Sequence, residues 1–239
     1  LTLVPDTVTI DGDVQLNSSM LNLATITGNV TSTGSVLDWF RRIAGDVVED
    51  AEPIEVPHVE ASDLASYTEG GGGEAVRRTG VRSFQANDTL AGGGAVTGGN
   101  PAGVVILEPD DRGYVRLQQN LDFRGTLIVR GDAVIDGRNI DLTAVEGFPA
   151  LVVEGQLVIR NNATMTVNGL VYTRGRVAPS GNTRSSRTTI NGGLVTESDG
   201  FSLLLGGRHT INYDRDRCDL YLFGGGSEGA RIKITRYDD

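Results

Sequence analysis

Three sets of side chains in this chain have the chemistry to act on another molecule. Asp132 and Asp136 stand four residues apart, and Asp141 follows them. On a strand, positions i and i+4 share a face, so the first two would present paired carboxylates, an arrangement that does acid–base work on glycosidic bonds. A copy of the same stretch 24 residues on carries Gln156 and Arg160 in their places, and Asp beside Gly is also ordinary turn chemistry. The second set is basic. Arg160, Arg174, Arg176, Arg184 and Arg187 fall within residues 155–196, which contain no Asp or Glu, in a chain of net charge −10. Stacked on one face, these arginines would form a contact surface for a polyanion, because guanidinium–phosphate pairs give affinity without sequence readout. They equally suit scattered loop charges or a surface matched to the chain's own acidic segment. The third set is sparse. His58 and His209 have no ligand-type neighbour at metal spacing, and His209 reads as a surface or turn residue. Cys218, the single cysteine, reads as a buried small hydrophobe. There is no Gly-x-Ser-x-Gly elbow, phosphate loop, His-Glu-x-x-His or cysteine pair. No catalytic residue, metal ligand or cofactor is therefore expected.

What must position these side chains is a repeat. Thr126-Leu127-Ile128-Val129-Arg130-Gly131-Asp132 returns as Ala150-Leu151-Val152-Val153-Glu154-Gly155-Gln156, then more loosely as Leu170-Val171-Tyr172-Thr173-Arg174-Gly175 and Leu194-Val195-Thr196-Glu197-Ser198-Asp199-Gly200. The marked glycines fall at 131, 155, 175 and 200. A period in this range signals a stacked array, and short β-branched runs make its unit strands rather than helices. The reading is all-β: a parallel β-solenoid whose glycines, and Asn161, Asn162, Asn168 and Asn191, turn the corners where φ is positive. A β-sandwich with accidental strand similarity is the competing architecture.

The pattern is present before and after a dissimilar middle. Ile26-Thr27-Gly28-Asn29-Val30 aligns on Val167-Asn168-Gly169-Leu170-Val171, and Ile10-Asp11-Gly12-Asp13-Val14 repeats it 16 residues earlier. The expected organisation is one structural domain. Residues 1–36 are opening turns, 37–102 a helix and an acidic Pro/Gly-rich insertion packed on the coil, and 103–239 the main turns with a terminal cap at 201–239. Ser35 and Asp38 resemble a capping box, and Leu37, Phe40, Ile43, Ala44 and Val47 recur at helical spacing, so a helix is predicted over 36–48 with Trp39 packing it to the coil or offering an exposed aromatic. Nine acids and no Lys or Arg follow between Ile43 and Val76, without the spaced ligands of a calcium loop. No apolar run is long enough for a membrane span. The chain begins with Leu1, which points to a processed or trimmed product with any export signal or anchor upstream.

The wording Gly125-x-Leu127-x-Val129-x-Gly131-Asp132, Ala150-Leu151-Val152-Val153-Glu154-Gly155 and Asn168-Gly169-Leu170-Val171-Tyr172-Thr173-x-Gly175 resembles the exported β-solenoid domains of bacterial pilin-like proteins of the PilX-type minor pilin group. It is more distantly similar to the bactofilins. The resemblance covers about residues 120–239, and 7–36 in part. It implies an extracellular or cell-surface module associated with type IV pili or the cell envelope, with pilus or envelope proteins, DNA or acidic glycan as partners and no catalytic residues. Three functions follow as expectations: a non-enzymatic structural or adhesive module; a polyanion-binding module using the five arginines; and a polysaccharide-active enzyme using the aspartates.

Overall fold

A computed structural model describes residues 2–4, 8–53, 75–85, 100, 103–180, 185–197, 207–218, 220–222 and 230–232. Nearly every element is a short strand paired in parallel with its equivalent on the next turn. The coil has three faces. The first is formed by Leu121–Arg124, Ile140–Thr143, the leading halves of Thr164–Thr173 and Arg187–Thr196, and Arg208–Tyr213. The second runs from Val76–Val81 through Val104–Pro109, Thr126–Val129 and Leu151–Val153 to the trailing halves of the two long strands. The third comprises Ser83–Phe84, Tyr114–Leu117, Asp132–Ile135, Leu157–Arg160 and Val177–Ser180. This is the all-β parallel solenoid that the repeat predicts.

The opening turns do not precede the main turns in space. Val8–Asp11 pairs with Arg208–Tyr213, in the register Val8 to His209, Ile10 to Ile211 and Asp11 to Asn212. Thr25–Ile26 stacks on Val8–Asp11, and Ile43 bridges Ile26. The stack therefore begins at Val76 and ends at Val48, with the amino-terminal turns continuing from the carboxy-terminal ones. The edge left by Arg208–Tyr213 pairs with residues 8–11, and Leu220–Leu222 with Ala230–Ile232 forms an antiparallel pair of its own; most of the expected cap at 201–239 lies outside the described residues. Pro53 and Ala75 lie at opposite ends, nine rung steps or about 43 Å apart at about 4.8 Å per step. Residues 54–74 and 86–99, which carry most of the expected acidic insertion, lie outside the described residues.

The predicted helix over 36–48 is a further turn of the coil. Val36–Asp38 pairs with Met20–Asn22, and Val47–Val48 with Val30–Ser32. The physical reason is in the sequence: Ile43-Ala44-Gly45-Asp46-Val47 is a third copy of Ile10-Asp11-Gly12-Asp13-Val14 and Ile26-Thr27-Gly28-Asn29-Val30. The Gly45 N–H bonds the Gly28 carbonyl at 3.2 Å, and a Cβ at residue 45 would lie 2.6 Å from that oxygen. Rung stacking fixes these residues more strongly than helical spacing can. Arg215–Cys218 is the helix found among the described residues. Its Cys218 is buried against Leu170, as a small hydrophobe would be.

Aliphatic columns fill the interior. Phe123, Leu142, Val167, Ile190, Ile211, Ile10 and Ile26 stack in one column, all buried. Burying each such side chain contributes roughly 1.5–3 kcal/mol. A neighbouring column runs Leu121, Ile140, Met165, Thr188, His209, Val8. His209 is thus an interior residue at 3% exposure, not a surface one. The second face is apolar outside as well, where Val104, Ile106, Ile128, Val152 and Tyr172 are covered by Val145 and Phe148.

Glycine corners arise in two ways. Gly131, Gly155 and Gly175 stack directly, with N–H to carbonyl distances of 3.0 and 2.9 Å. A Cβ on Gly155 would lie 2.3 Å from Asp132 Oδ1 and 2.7 Å from the Gly131 carbonyl carbon. Close approach, more than positive φ, requires glycine there. Positive φ does govern the corner into the first face, where Asn120, Asn139 and Asn162 take φ of 59°, 57° and 62°. Gly200 lies outside the described residues.

Candidate functional site

Two outward columns of the first face stand two residues apart along each strand. In one, Thr166, Thr189, Thr210, Thr9 and Thr25 succeed one another in register, beyond Asp122 and Asp141. In the other, Thr143, Asn168, Asn191, Asn212 and Asp11 do the same. The asparagines form a ladder along the coil axis. Asn212 Nδ2 donates to Asn191 Oδ1 at 2.7 Å, Asn191 Nδ2 to Asn168 Oδ1 at 2.9 Å, and Asn168 Nδ2 to Thr143 Oγ1 at 3.4 Å. Thr27 Oγ1 donates to Asp11 Oδ1 at 2.6 Å and extends the column. The five threonine hydroxyls have no hydrogen-bond partner among the described residues. Inward residues between the two columns are Val167, Ile190, Ile211, Ile10 and Ile26, so each rung reads Thr, aliphatic, then Asn, Asp or Thr. That triplet was the available sequence signal, but it becomes a single surface only once residues 9–11 are placed beside 210–212.

The five arginines do not converge. Arg160 Nη1 lies 3.0 Å from Asp136 Oδ2, and Arg116 Nε lies 3.8 Å from the same oxygen. Arg174 stands in an axial column of alternating charge, Glu108, Arg130, Glu154, Arg174, Glu197, whose register follows from the backbone bonds of successive rungs. Arg130 pairs with Glu108 at 3.2 Å, and Tyr172 donates its hydroxyl proton to Glu197. Arg176 Nε donates to Gln156 Oε1 at 3.4 Å on the third face. Arg187 is exposed on the first face, in register with exposed Arg208. Arg184 lies outside the described residues. Acids from neighbouring turns thus stand beside a segment that has none of its own.

The aspartates hold rungs together. Asp132 Oδ1 accepts the Gln156 N–H at 2.8 Å, as Asp13 accepts from Asn29 at 2.7 Å and Asn29 Oδ1 from Asp46 at 2.9 Å. Asp136 is engaged by Arg160 and Arg116, and Asp141 is exposed beside Asp122. Among the described residues no group of three His, Cys, Asp or Glu is placed to hold a metal ion. A polar cleft of about 140 Å³ on the third face is lined by Arg82, Asp110, Arg112, Tyr114 and Arg116. Desolvation works to raise the Asp110 carboxyl, but the Arg112 backbone N–H and Arg82 outweigh it and hold it below its ordinary range. Hydrogen bonds from Arg112, then Arg116, lower the Tyr114 phenol.

The two ends of the stack differ. At the Val76 end, Arg78 occupies the position in register with Leu107 and lies 5.6 Å from the Phe84 ring centroid, which is 1% exposed. An inward-pointing charge of this kind protects a strand edge from pairing. Among the described residues the other end shows no such cover. Val30 is fully buried, but Val47 stacked on it is 43% exposed. Leu37, Trp39, Phe40 and Val48 of the same turn are exposed too, and these five are the exposed large hydrophobics among the described residues. Trp39 does not pack a helix to the coil; it projects from this end at 65% exposure. No helix among the described residues is long and apolar enough to cross a membrane. No protein-family model, no curated protein and no solved structure matches this chain.

Proposed function

We propose that this chain is a non-enzymatic structural and adhesive module of the cell envelope or of a pilus, which holds a partner protein on its uncapped end. The observation that carries this reading is the collection of Leu37, Trp39, Phe40, Val47 and Val48 on one terminal turn. Large apolar side chains left exposed together on one turn, at the last rung of the described stack, mark a protein contact. The carboxylates that would serve catalysis are engaged in rung-to-rung bonds, which favours binding over turnover. The test is retention of solubilised envelope or pilus protein on the immobilised chain, comparing wild type with the double variant Trp39→Ser, Val48→Lys. Both sites are exposed, so the fold persists. Retention lost in the variant supports the reading; equal retention by both proteins refutes it. The polyanion alternative has narrower support, from exposed Arg187 and Arg208 side by side. It requires DNA binding that falls steeply with salt and disappears in Arg187→Ala, Arg208→Ala.

A further inference from the structure

We propose that the first face is an ice-binding surface, with ordered water as the ligand of its threonine and asparagine columns. The face is a two-dimensional lattice. Successive rungs repeat at about 4.8 Å, and outward positions on one strand lie about 6.6 Å apart, as strand geometry dictates. Five rungs carry Thr in one column, and Asn, Asp or Thr in the other. The oxygen spacing of hexagonal ice on its prism faces is close to the rung repeat, so one water oxygen can be held per rung.

Rigidity makes the match usable. Threonine is restricted at χ1, which holds both hydroxyl and methyl in place on an in-register sheet. The asparagines are pinned by their own ladder at 2.7 and 2.9 Å, which leaves each side chain further donor or acceptor capacity for water. The hydroxyls of Thr166, Thr189, Thr210, Thr9 and Thr25 have no partner among the described residues, and the side chains are half-buried to exposed, not covered. Binding an already ordered lattice then requires little reorganisation of the protein.

The chemistry excludes the commoner occupants of a flat face. No aromatic side chain projects from the outward positions of these five rungs, so a sugar ring has no stacking platform. The threonine column is uncharged and stops where Asp141 and Asp122 take over, while Arg187 and Arg208 flank it on one side. A neutral, periodic, hydrogen-bonding ligand fits such a patch better than a polyion does. None of the exposed hydrophobics of the terminal turn belongs to the threonine column.

The experiment uses the full chain. Ice is grown slowly through a dilute solution of the fluorescently labelled protein, and partition into the ice is measured together with thermal hysteresis. Wild type should enter the ice and show hysteresis. Thr189→Tyr, which lifts a ring out of the middle of the array, should lose both while its circular dichroism and melting temperature stay close to wild type. Val48→Lys, on the uncapped end, should behave as wild type does. Exclusion of the wild type from ice overturns the proposal, as does retained partition by Thr189→Tyr. Binding to insoluble cellulose or chitin without ice partition, lost in Thr189→Tyr, would overturn it in favour of a polysaccharide surface.

Discussion

Alanine at Gly155 and at Gly113 separates the two reasons a corner needs glycine. Gly113 has φ of +74° and nothing within 4 Å of an added Cβ. Its alanine variant bears only the left-handed backbone penalty, about 1–2 kcal/mol. Gly155 is not at positive φ, but an added Cβ meets the Gly131 carbonyl carbon at 2.7 Å, where ordinary contact begins at 3.4 Å. Restoring that contact moves the rungs apart by about 0.7 Å, which stretches the 3.0 Å Gly155 to Gly131 bond beyond hydrogen-bonding range. Losing that bond costs roughly 0.5–1.5 kcal/mol and overpacking adds roughly 1–3 kcal/mol. Gly155→Ala should therefore be about twice as destabilising as Gly113→Ala, read as the drop in urea midpoint at unchanged slope. A Gly113→Ala variant that loses as much as Gly155→Ala, or more, would refute the stacking argument.

Two other outcomes follow from the charge pattern. Arg174→Glu places a third acid between Glu154 and Glu197 in the axial column and should destabilise by about 1 kcal/mol, less at high salt, whereas Arg187→Glu should change the melting temperature little. Tyr114 should ionise below the ordinary phenol range in the folded chain, seen as early phenolate absorbance, and Arg112→Ala should raise it. Because the folded phenol ionises before the unfolded one, its contribution to stability appears as pH rises through the folded value towards the unfolded one, and is lost as pH falls.

The repeat, the glycine corners and the parallel all-β class were legible because each turn carries its own aliphatic and Gly signature. The alignment of Ile26 on Val167 was more informative than it looked: the two residues share one interior column, linked through Ile190, Ile211 and Ile10. Stacking order was not legible, because rung pairing joins 10 to 211 without regard to distance along the chain. The turn at 36–48 was obscured by Leu37, Phe40, Ile43 and Val47, whose spacing imitates a helix while Gly45 keeps the rung register. The acid-free segment 155–196 looked like a basic face because the acids Asp136, Glu154 and Glu197 come from flanking turns about 20–25 residues away, as the strand pairings place them. The threonine array was hidden for the same reason as the stacking order.

The measurement that tests the account most directly is disulfide trapping across the junction that builds this face. Thr9 and Thr210 are register partners on adjacent strands, within the Cα separation a disulfide spans, and both point outward. Thr9→Cys with Thr210→Cys should oxidise to an intramolecular bridge, detected as a faster-migrating monomer on a non-reducing gel and by peptide mapping, with the partner readout retained. Thr9→Cys with Asp122→Cys, which places the second thiol near the other end of the same column, should not bridge. A 9–122 bridge, or failure of 9–210 to form, would contradict the stacking of the amino-terminal turns on the carboxy-terminal ones.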